Sequence, residues 1–82
     1  MQTIMIDGSR YASARELHLA LKRMLSLPEY YGMNADALND CLSERRSPVS
    51  LWVLDEGKGE VAAAVDLVRA VVRDNGGTVK EL

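Results

Sequence analysis

The stretch VSLWVL, residues 49–54, is the most continuously apolar run of this 82-residue chain and directly follows Pro48. A short apolar run bounded by turn residues is typical of a strand inside a sheet, where apolar groups meet it on both faces. We therefore expect residues 49–54 to form the central strand, covered on at least part of both faces. The segments before and after this strand determine how the sheet is built.

The segment before this strand contains a further strand and two helices. Residues 2–6, QTIMI, are apolar and partly β-branched, which favours a strand. Ser13 and Glu16 form a capping box that predicts the start of the first helix, with the Glu16 side chain reaching the Ser13 amide. Pro28 predicts its end, because the residue before a proline is biased away from helical angles. A second helix is expected over residues 34–43, starting from an asparagine N-cap.

The segment after the central strand contains one helix and one strand. A glycine-rich turn, DEGKG, leads to a helix over about residues 60–74, whose apolar residues recur with helical spacing. The sequence Asn75-Gly76-Gly77 predicts a left-handed C-cap. The final TVKEL predicts a short strand that suits a sheet edge.

The resulting order is β-α-α-β-α-β, and every connection between strands is long enough for a helical crossover, so the strands are expected to pair in parallel. If they lie in the order 1-2-3, two right-handed crossovers put all three helices on one face of the sheet. The sequence thus predicts a two-layer α/β fold with a three-stranded parallel sheet, formed by residues 1–82 as a single domain.

Composition limits the class of function. The chain is 48% hydrophobic with a net charge of −2, which suits one small globular core and does not by itself indicate a partner. No run of 18 apolar residues is present, and MQTIMIDGSR lacks the basic and long apolar regions of a signal peptide. We therefore expect a soluble, cytoplasmic protein. A single cysteine excludes an internal disulfide.

Few residues offer catalytic chemistry. The chain has one histidine and one cysteine, and it lacks the motifs of phosphate-binding loops, zinc proteases and hydrolases. His18 lies off the apolar stripe of the first helix, so we expect it at the surface or rim. Cys41 faces inward and is interpreted as a small buried thiol. The spacing of Asn34, Asp36 and Asp40 does not match a calcium-binding EF-hand loop. From all of these observations, the sequence predicts no enzyme activity, no cofactor and no metal site.

One face of the second helix carries an unusual set of polar side chains. At 100° per residue, four of them share one arc: Asp36, Asn39, Asp40 and Ser43. Two aspartates four residues apart repel each other by about 0.2–0.5 kcal/mol. From composition alone, a solvated acidic face is the simplest interpretation, because charge on helix exteriors is ordinary.

The tyrosine pair before this helix favours a docking surface instead. Tyr30 and Tyr31 are adjacent in a short connection, so we expect one side chain to pack and the other to be exposed. Residues 29–44 include four acidic and no basic side chains, which disfavours direct contact with nucleic acid or an anionic membrane. A basic protein partner is the natural complement, because interfaces combine aromatic anchors with specific charges.

Residues 27–42, LPEYYGMNADALNDCL, resemble the matching segment of the barstar family of intracellular ribonuclease inhibitors. The resemblance extends more loosely over the chain and implies the same two-layer parallel fold. It further implies a protein inhibitor that covers the active site of a basic bacterial ribonuclease in a 1:1 complex. In this family the second aspartate of the helix takes the place of the RNA phosphate, and that role falls to Asp40 here.

The resemblance also implies roles for the residues around Asp40. Asp36 would pair with a cation near the base-recognition loop of the nuclease, and the two tyrosines would supply aromatic contact. The implied partner-binding residues are Tyr30, Tyr31, Gly32, Asn34, Asp36, Asn39, Asp40, Ser43 and Glu44.

Several positions depart from the family pattern. Asn39 stands where the best-known member has a tryptophan that contacts the nuclease, and Arg45 lies near a position where that member has another aromatic residue. Val71 stands where that member has an acidic residue that makes a contact away from the second helix. The DEGKG turn is short, so a small extra helix is expected to be absent. Arg45 and Arg46 would repel a basic nuclease if they faced it. These departures motivate an alternative, a barstar-like immunity or regulatory module for a different, non-ribonuclease partner.

Overall fold

The computed structural model describes residues 2–82, and its elements follow the predicted order. The strands are β1 (Gln2–Asp7), β2 (Val49–Asp55) and β3 (Thr78–Glu81), and the helices are α1 (Ala14–Leu25), α2 (Ala35–Ser43) and α3 (Gly59–Asp74). A short 3-10 turn, Gly8–Arg10, follows β1, and β2 leads to α3 without an intervening helix, as the short DEGKG turn predicts. Among residues 2–82, no helix is both long enough and apolar enough to cross a lipid bilayer.

The sheet is parallel with the strand order β1-β2-β3, which confirms the predicted arrangement. Ile4 of β1 is aligned with Leu51 of β2, and Leu51 is aligned with Val79 of β3, so β2 is the central strand. Parallel neighbours need crossover connections, which the α1–α2 segment and α3 provide.

The helices cover one face of this sheet. Alternate strand residues are buried on that face: Ile4, Ile6, Val49, Leu51 and Val53. On the opposite face Met5 is 45% and Leu54 is 47% exposed. Trp52 is half-buried there, with the Lys80 ammonium 5.3 Å from its ring centroid. The expected covering of β2 on both faces is therefore met only in part, because two right-handed crossovers put every helix on the same side.

Both ends of α1 are fixed by local geometry. Ser13 Oγ accepts a hydrogen bond from the Glu16 amide at 3.3 Å, as the predicted capping box requires. The Glu16 carboxylate, however, accepts from the Ala12 amide at 3.1 Å rather than from the amide of Ser13. The helix ends at Leu25, before the position that the proline rule implies, because Ser26 adopts the left-handed conformation with a φ of 53°.

The turn between α3 and β3 is the predicted left-handed C-cap. Gly76 has a φ of 79°, and its amide donates to the Arg73 carbonyl at 3.1 Å. The Gly77 amide donates to the Val72 carbonyl at 2.9 Å, which completes a Schellman motif. A Cβ atom at Gly77 would lie 2.2 Å from the carbonyl oxygen of Val49, so this turn packs directly against the start of β2.

One hydrophobic cluster joins the sheet to all three helices. The helices contribute side chains that are at most 5% exposed, including Leu17, Leu21, Leu38, Leu42, Val65 and Val68. Burying an aliphatic side chain of this size stabilises a fold by about 1.5–3 kcal/mol. The position of α2 is therefore determined by the core beneath it.

Candidate functional site

The two arcs of α2 have separate surroundings, as its sequence predicts. Leu38 and Leu42 point inward and are 0% and 5% exposed, respectively. Asp36, Asn39 and Asp40 are exposed on the opposite arc. The inward arc holds the helix on the core, and the outward arc is available for contacts with another molecule.

The tyrosine pair is divided as predicted, since Tyr30 is 85% exposed and Tyr31 is 5% exposed. The Tyr31 hydroxyl lies 2.6 Å from Nδ1 of His18 and 3.5 Å from the Asn34 carbonyl oxygen. Burial raises the pKa of the Tyr31 phenol, so its hydroxyl stays protonated. Tyr31 thus supports the loop from beneath, while Tyr30 presents an aromatic ring to solvent.

His18 is 5% exposed, so its predicted place at the surface or rim is wrong. Its ring centroid is 5.8 Å from that of Tyr31, and the two side chains share a hydrogen bond. Helical spacing describes only α1, whereas the loop that follows α1 folds back over this side of the helix and covers the histidine. Burial lowers the pKa of His18, because loss of solvent disfavours the imidazolium form.

Acidification is expected to destabilise the fold through His18. The unfolded chain binds a proton near the ordinary pKa of 6.5, whereas the folded chain has a lower pKa and resists protonation. The contribution of His18 to the free energy of unfolding is therefore complete above pH 6.5 and is lost as the pH falls from there through the folded pKa. Urea unfolding at about pH 7.5 and at about pH 5.5 measures the free energy of unfolding on either side of the pH at which this loss begins.

The control for this pH effect is His18→Gln, which keeps a polar side chain but cannot titrate. The decrease in stability between the two pH values should be smaller in the variant than in the wild type. An equal decrease in both proteins would assign the effect to other groups and contradict the role given to His18.

Hydrogen bonds hold the backbone between α1 and α2. Asn34 is the N-cap of α2, as predicted, and its side-chain oxygen accepts from the Ala37 amide at 2.8 Å. Its side-chain NH₂ group donates to the Gly32 carbonyl at 3.1 Å, and the Tyr31 amide donates to the Pro28 carbonyl at 3.0 Å. The loop is therefore ordered before any partner binds, which reduces the entropy lost on association.

A groove of about 600 Å³ runs between this loop and α2. Its walls are formed by Ser26, Leu27, Pro28, Tyr30, Tyr31, Gly32, Ala37, Asp40, Cys41, Glu44 and Arg45. Cys41 is half-buried in the wall rather than fully buried as expected. Burial raises the pKa of the Cys41 thiol, with smaller effects from Glu44 and Asp40, so the thiol stays protonated and is a poor nucleophile.

The carboxylates of Asp36, Asp40 and Glu44 make no hydrogen bond or ion pair with any residue in 2–82. Seven of the other nine acidic side chains have partners within the chain: Asp7, Glu16, Glu29, Asp55, Glu56, Asp66 and Glu81. Glu60 and Asp74, at the two ends of α3, have none among residues 2–82. The outward arc of α2 therefore has a negative charge that the fold does not neutralise. Across the described residues, no three His, Cys, Asp or Glu side chains are grouped to hold a metal ion.

Arg45 lies at the end of the groove, but its guanidinium group is engaged within the fold. It donates to the Leu25 carbonyl at 3.1 Å and to the Gln2 side-chain oxygen at 2.7 Å, which ties the end of α2 to α1 and β1. Arg46 is exposed. The predicted repulsion of a basic partner therefore concerns Arg46 more than Arg45.

Five of the nine candidate residues meet at the groove: Tyr30, Tyr31, Gly32, Asp40 and Glu44. Asp36, Asn39 and Ser43 lie outside it on α2, and the Ser43 hydroxyl donates to the Asp40 carbonyl at 2.8 Å. The sequence interpretation missed two supports of the site, His18 beneath the loop and Asn75, which contacts Asn39. Neither had a local signal for this role, because both act across helices.

The fold and the site together define a class of small, two-layer parallel α/β proteins that present an exposed acidic helix beside an exposed tyrosine. The family model described as Barstar (barnase inhibitor) matches residues 1–78, and this chain belongs to the barstar family. A curated protein of Bacillus subtilis (strain 168), named Putative ribonuclease inhibitor YrdF, is 49% identical over 43 residues. The matched segment is 52% of this chain and 47% of that protein, so the match spans about half of the relative.

Proposed function

We propose that this protein inhibits a basic bacterial ribonuclease by covering the nuclease active site in a 1:1 complex. The observation that carries the proposal is the set of three carboxylates on and after α2 that have no partner among residues 2–82, next to the exposed Tyr30. The family description and the name of the Bacillus relative agree with an inhibitor rather than an enzyme.

The chemistry of RNA cleavage explains why an acidic helix suits this role. A ribonuclease must bind a phosphodiester and stabilise its developing negative charge, so cationic side chains line its active site. Asp40 lines the groove beside the tyrosine loop, and its carboxylate substitutes for the phosphate among these cations. Asp36, one turn earlier on the same arc, pairs with a second cation, and Tyr30 packs against the rim of the nuclease cleft.

The proposed inhibitor acts in the cytoplasm of the cell that makes the nuclease and contacts neither RNA nor a membrane directly. The acidic docking face disfavours both of those ligands, since each requires a basic footprint. Its own cell is protected as long as the inhibitor binds the nuclease faster than the nuclease cleaves RNA. Fast association follows from opposite charges on the two docking surfaces.

Capture from native cells, followed by stopped-flow association with the captured protein, tests this function. A basic ribonuclease should be recovered and lose its activity at one equivalent of inhibitor. Its association rate constant should fall roughly tenfold or more between low and high salt, because screening weakens attraction between exposed charges beyond a Debye length of about 10 Å at 0.1 M. Recovery of a different specific partner, or inhibition without this salt dependence, would contradict the proposal.

Asn39 and Val71 favour the second candidate function, a barstar-like module for a partner that is not a ribonuclease. Asn39 offers an amide where the family resemblance implies an aromatic contact, and Val71 is 8% exposed, so its side chain is withdrawn from any docking surface. Under this alternative, the same capture experiment returns a protein without nuclease activity.

A further inference from the structure

A polar contact links the middle of the docking helix to the end of α3. Asn75, the C-cap residue of α3, donates through Nδ2 to the Val71 carbonyl and to Oδ1 of Asn39, both at 2.8 Å. Asn39 is exposed on the outward arc of α2, between Asp36 and Asp40 in sequence. This contact is a direct bridge between side chains of α2 and α3.

The two hydrogen bonds of Asn75 fix the orientation of both amides. A backbone carbonyl can only accept, so the Asn75 atom that faces Val71 must be the NH₂ group. The second hydrogen of that group points to Asn39, which must therefore present its oxygen to Asn75. The NH₂ group of Asn39 is left on the other side, and it makes no hydrogen bond with any residue in 2–82.

We propose that Asn39 determines specificity by donating to a hydrogen-bond acceptor at the centre of the partner's docking site, and that Asn75 is the residue that positions it. The acceptor is a carbonyl or carboxylate oxygen that lies between the cations facing Asp36 and Asp40. This inference rests on the proposed docking through α2, and it adds a donor to a surface that is otherwise acidic. A partner with cations but without this acceptor leaves the two N–H groups of Asn39 unpaired in the interface.

Asn39→Asp tests the inference, because charge and hydrogen bonding then predict opposite results. The aspartate can still accept from Asn75, but it adds a negative charge and removes both donors. If charge alone controlled binding to a basic partner, this variant would bind more tightly. We expect instead that the dissociation constant rises about tenfold, since the partner's acceptor loses its donor and faces a carboxylate.

Arg46→Gln is the charge control, because it makes the net charge more negative by the same one unit at an exposed position just after α2 and leaves Asn39 intact. It should bind the basic partner as tightly as the wild type or more tightly.

Asn39→Ala distinguishes a carboxylate acceptor on the partner from a carbonyl acceptor. If the partner's acceptor is a carboxylate, Asn39→Asp binds more weakly than Asn39→Ala does, because like charges repel. If the acceptor is a carbonyl, the two variants bind with similar dissociation constants. Both results support the proposal.

A double-mutant cycle tests the positioning role of Asn75. Asn75→Ala should raise the dissociation constant about threefold to tenfold in the wild-type background and have almost no effect in the Asn39→Ala background. A merely structural role in capping α3 would give the same change in both backgrounds, which contradicts positioning.

The captured partner, whatever its activity, is the probe for all of these measurements. Tighter or unchanged binding of Asn39→Asp overturns the inference while leaving ribonuclease inhibition intact. If the captured partner is not a nuclease but Asn39→Asp still weakens binding, the proposed function fails and the inference stands.

Discussion

Asp40→Ala is expected to weaken inhibition of the captured ribonuclease more than any other truncation on the exposed arc of α2. In the proposed complex, Asp40 would lie among cations that have lost their water, and removing it would leave those cations buried without a partner. Losses of this kind cost about 2–5 kcal/mol, which raises the dissociation constant from roughly 30-fold to several thousandfold. Titration of nuclease activity with each inhibitor variant measures the effect.

Two controls distinguish a loss of binding contacts from a loss of folding stability and from a general change in net charge. Asp40 is exposed, and its carboxylate has no partner in the described part of the chain, so its removal should change the free energy of unfolding by less than about 0.5 kcal/mol. Glu60→Ala removes the same charge from the first turn of α3, at the end of that helix far from Asn75. If Asp40→Ala inhibits as well as Glu60→Ala does, the groove beside α2 is not the docking site.

Gly77→Ala is expected to cause the largest loss of stability among the glycine substitutions at the end of α3. The new methyl group would lie 2.2 Å from the Val49 carbonyl oxygen and 2.9 Å from that of Val72, and neither backbone group can move without disturbing β2 or α3. Overpacking against fixed backbone costs about 3 kcal/mol or more. For a chain of this size, whose total stability is about 4–12 kcal/mol, that loss is a large fraction.

Gly76→Ala is the matched control, one residue away in the same turn. A Cβ atom at Gly76 meets nothing within 4 Å, so its cost comes only from the left-handed φ of 79° and should be about 1 kcal/mol. Urea unfolding of both variants gives the comparison. Equal losses for the two substitutions would show that conformation, rather than contact with β2, limits this turn.

The fold was predictable because its elements have local signals that the tertiary structure reinforces. The caps at Ser13 and Asn34 and the glycine at position 76 act through neighbouring residues, so they can be recognised without knowing what packs on them. Parallel pairing followed from the connection lengths, and the central place of β2 followed from its continuously apolar sequence. The exposed face of β2 was less predictable, because an apolar residue such as Leu54 does not indicate whether a layer lies above it.

The site was predictable where its residues follow the helix period and unpredictable where they interact across elements. Asp36 and Asp40 point outward because of their spacing alone. His18, in contrast, is buried by a loop that begins after α1 has ended, so the periodicity of α1 contains no information about it. The same reason applies to Arg45, whose partners Gln2 and Leu25 are distant in sequence.

The separation of α2 into an inward and an outward arc has a consequence for how proteins with this fold diversify. Leu38 and Leu42 sustain the fold, and exposed positions such as Asp36 and Asp40 can change with little effect on the free energy of unfolding. Pairings with new partners can therefore arise by mutation without first acquiring compensating changes in the core. Asn39 is constrained differently, because its orientation depends on Asn75, and a lineage that changes one of the two residues is expected to select changes in the other.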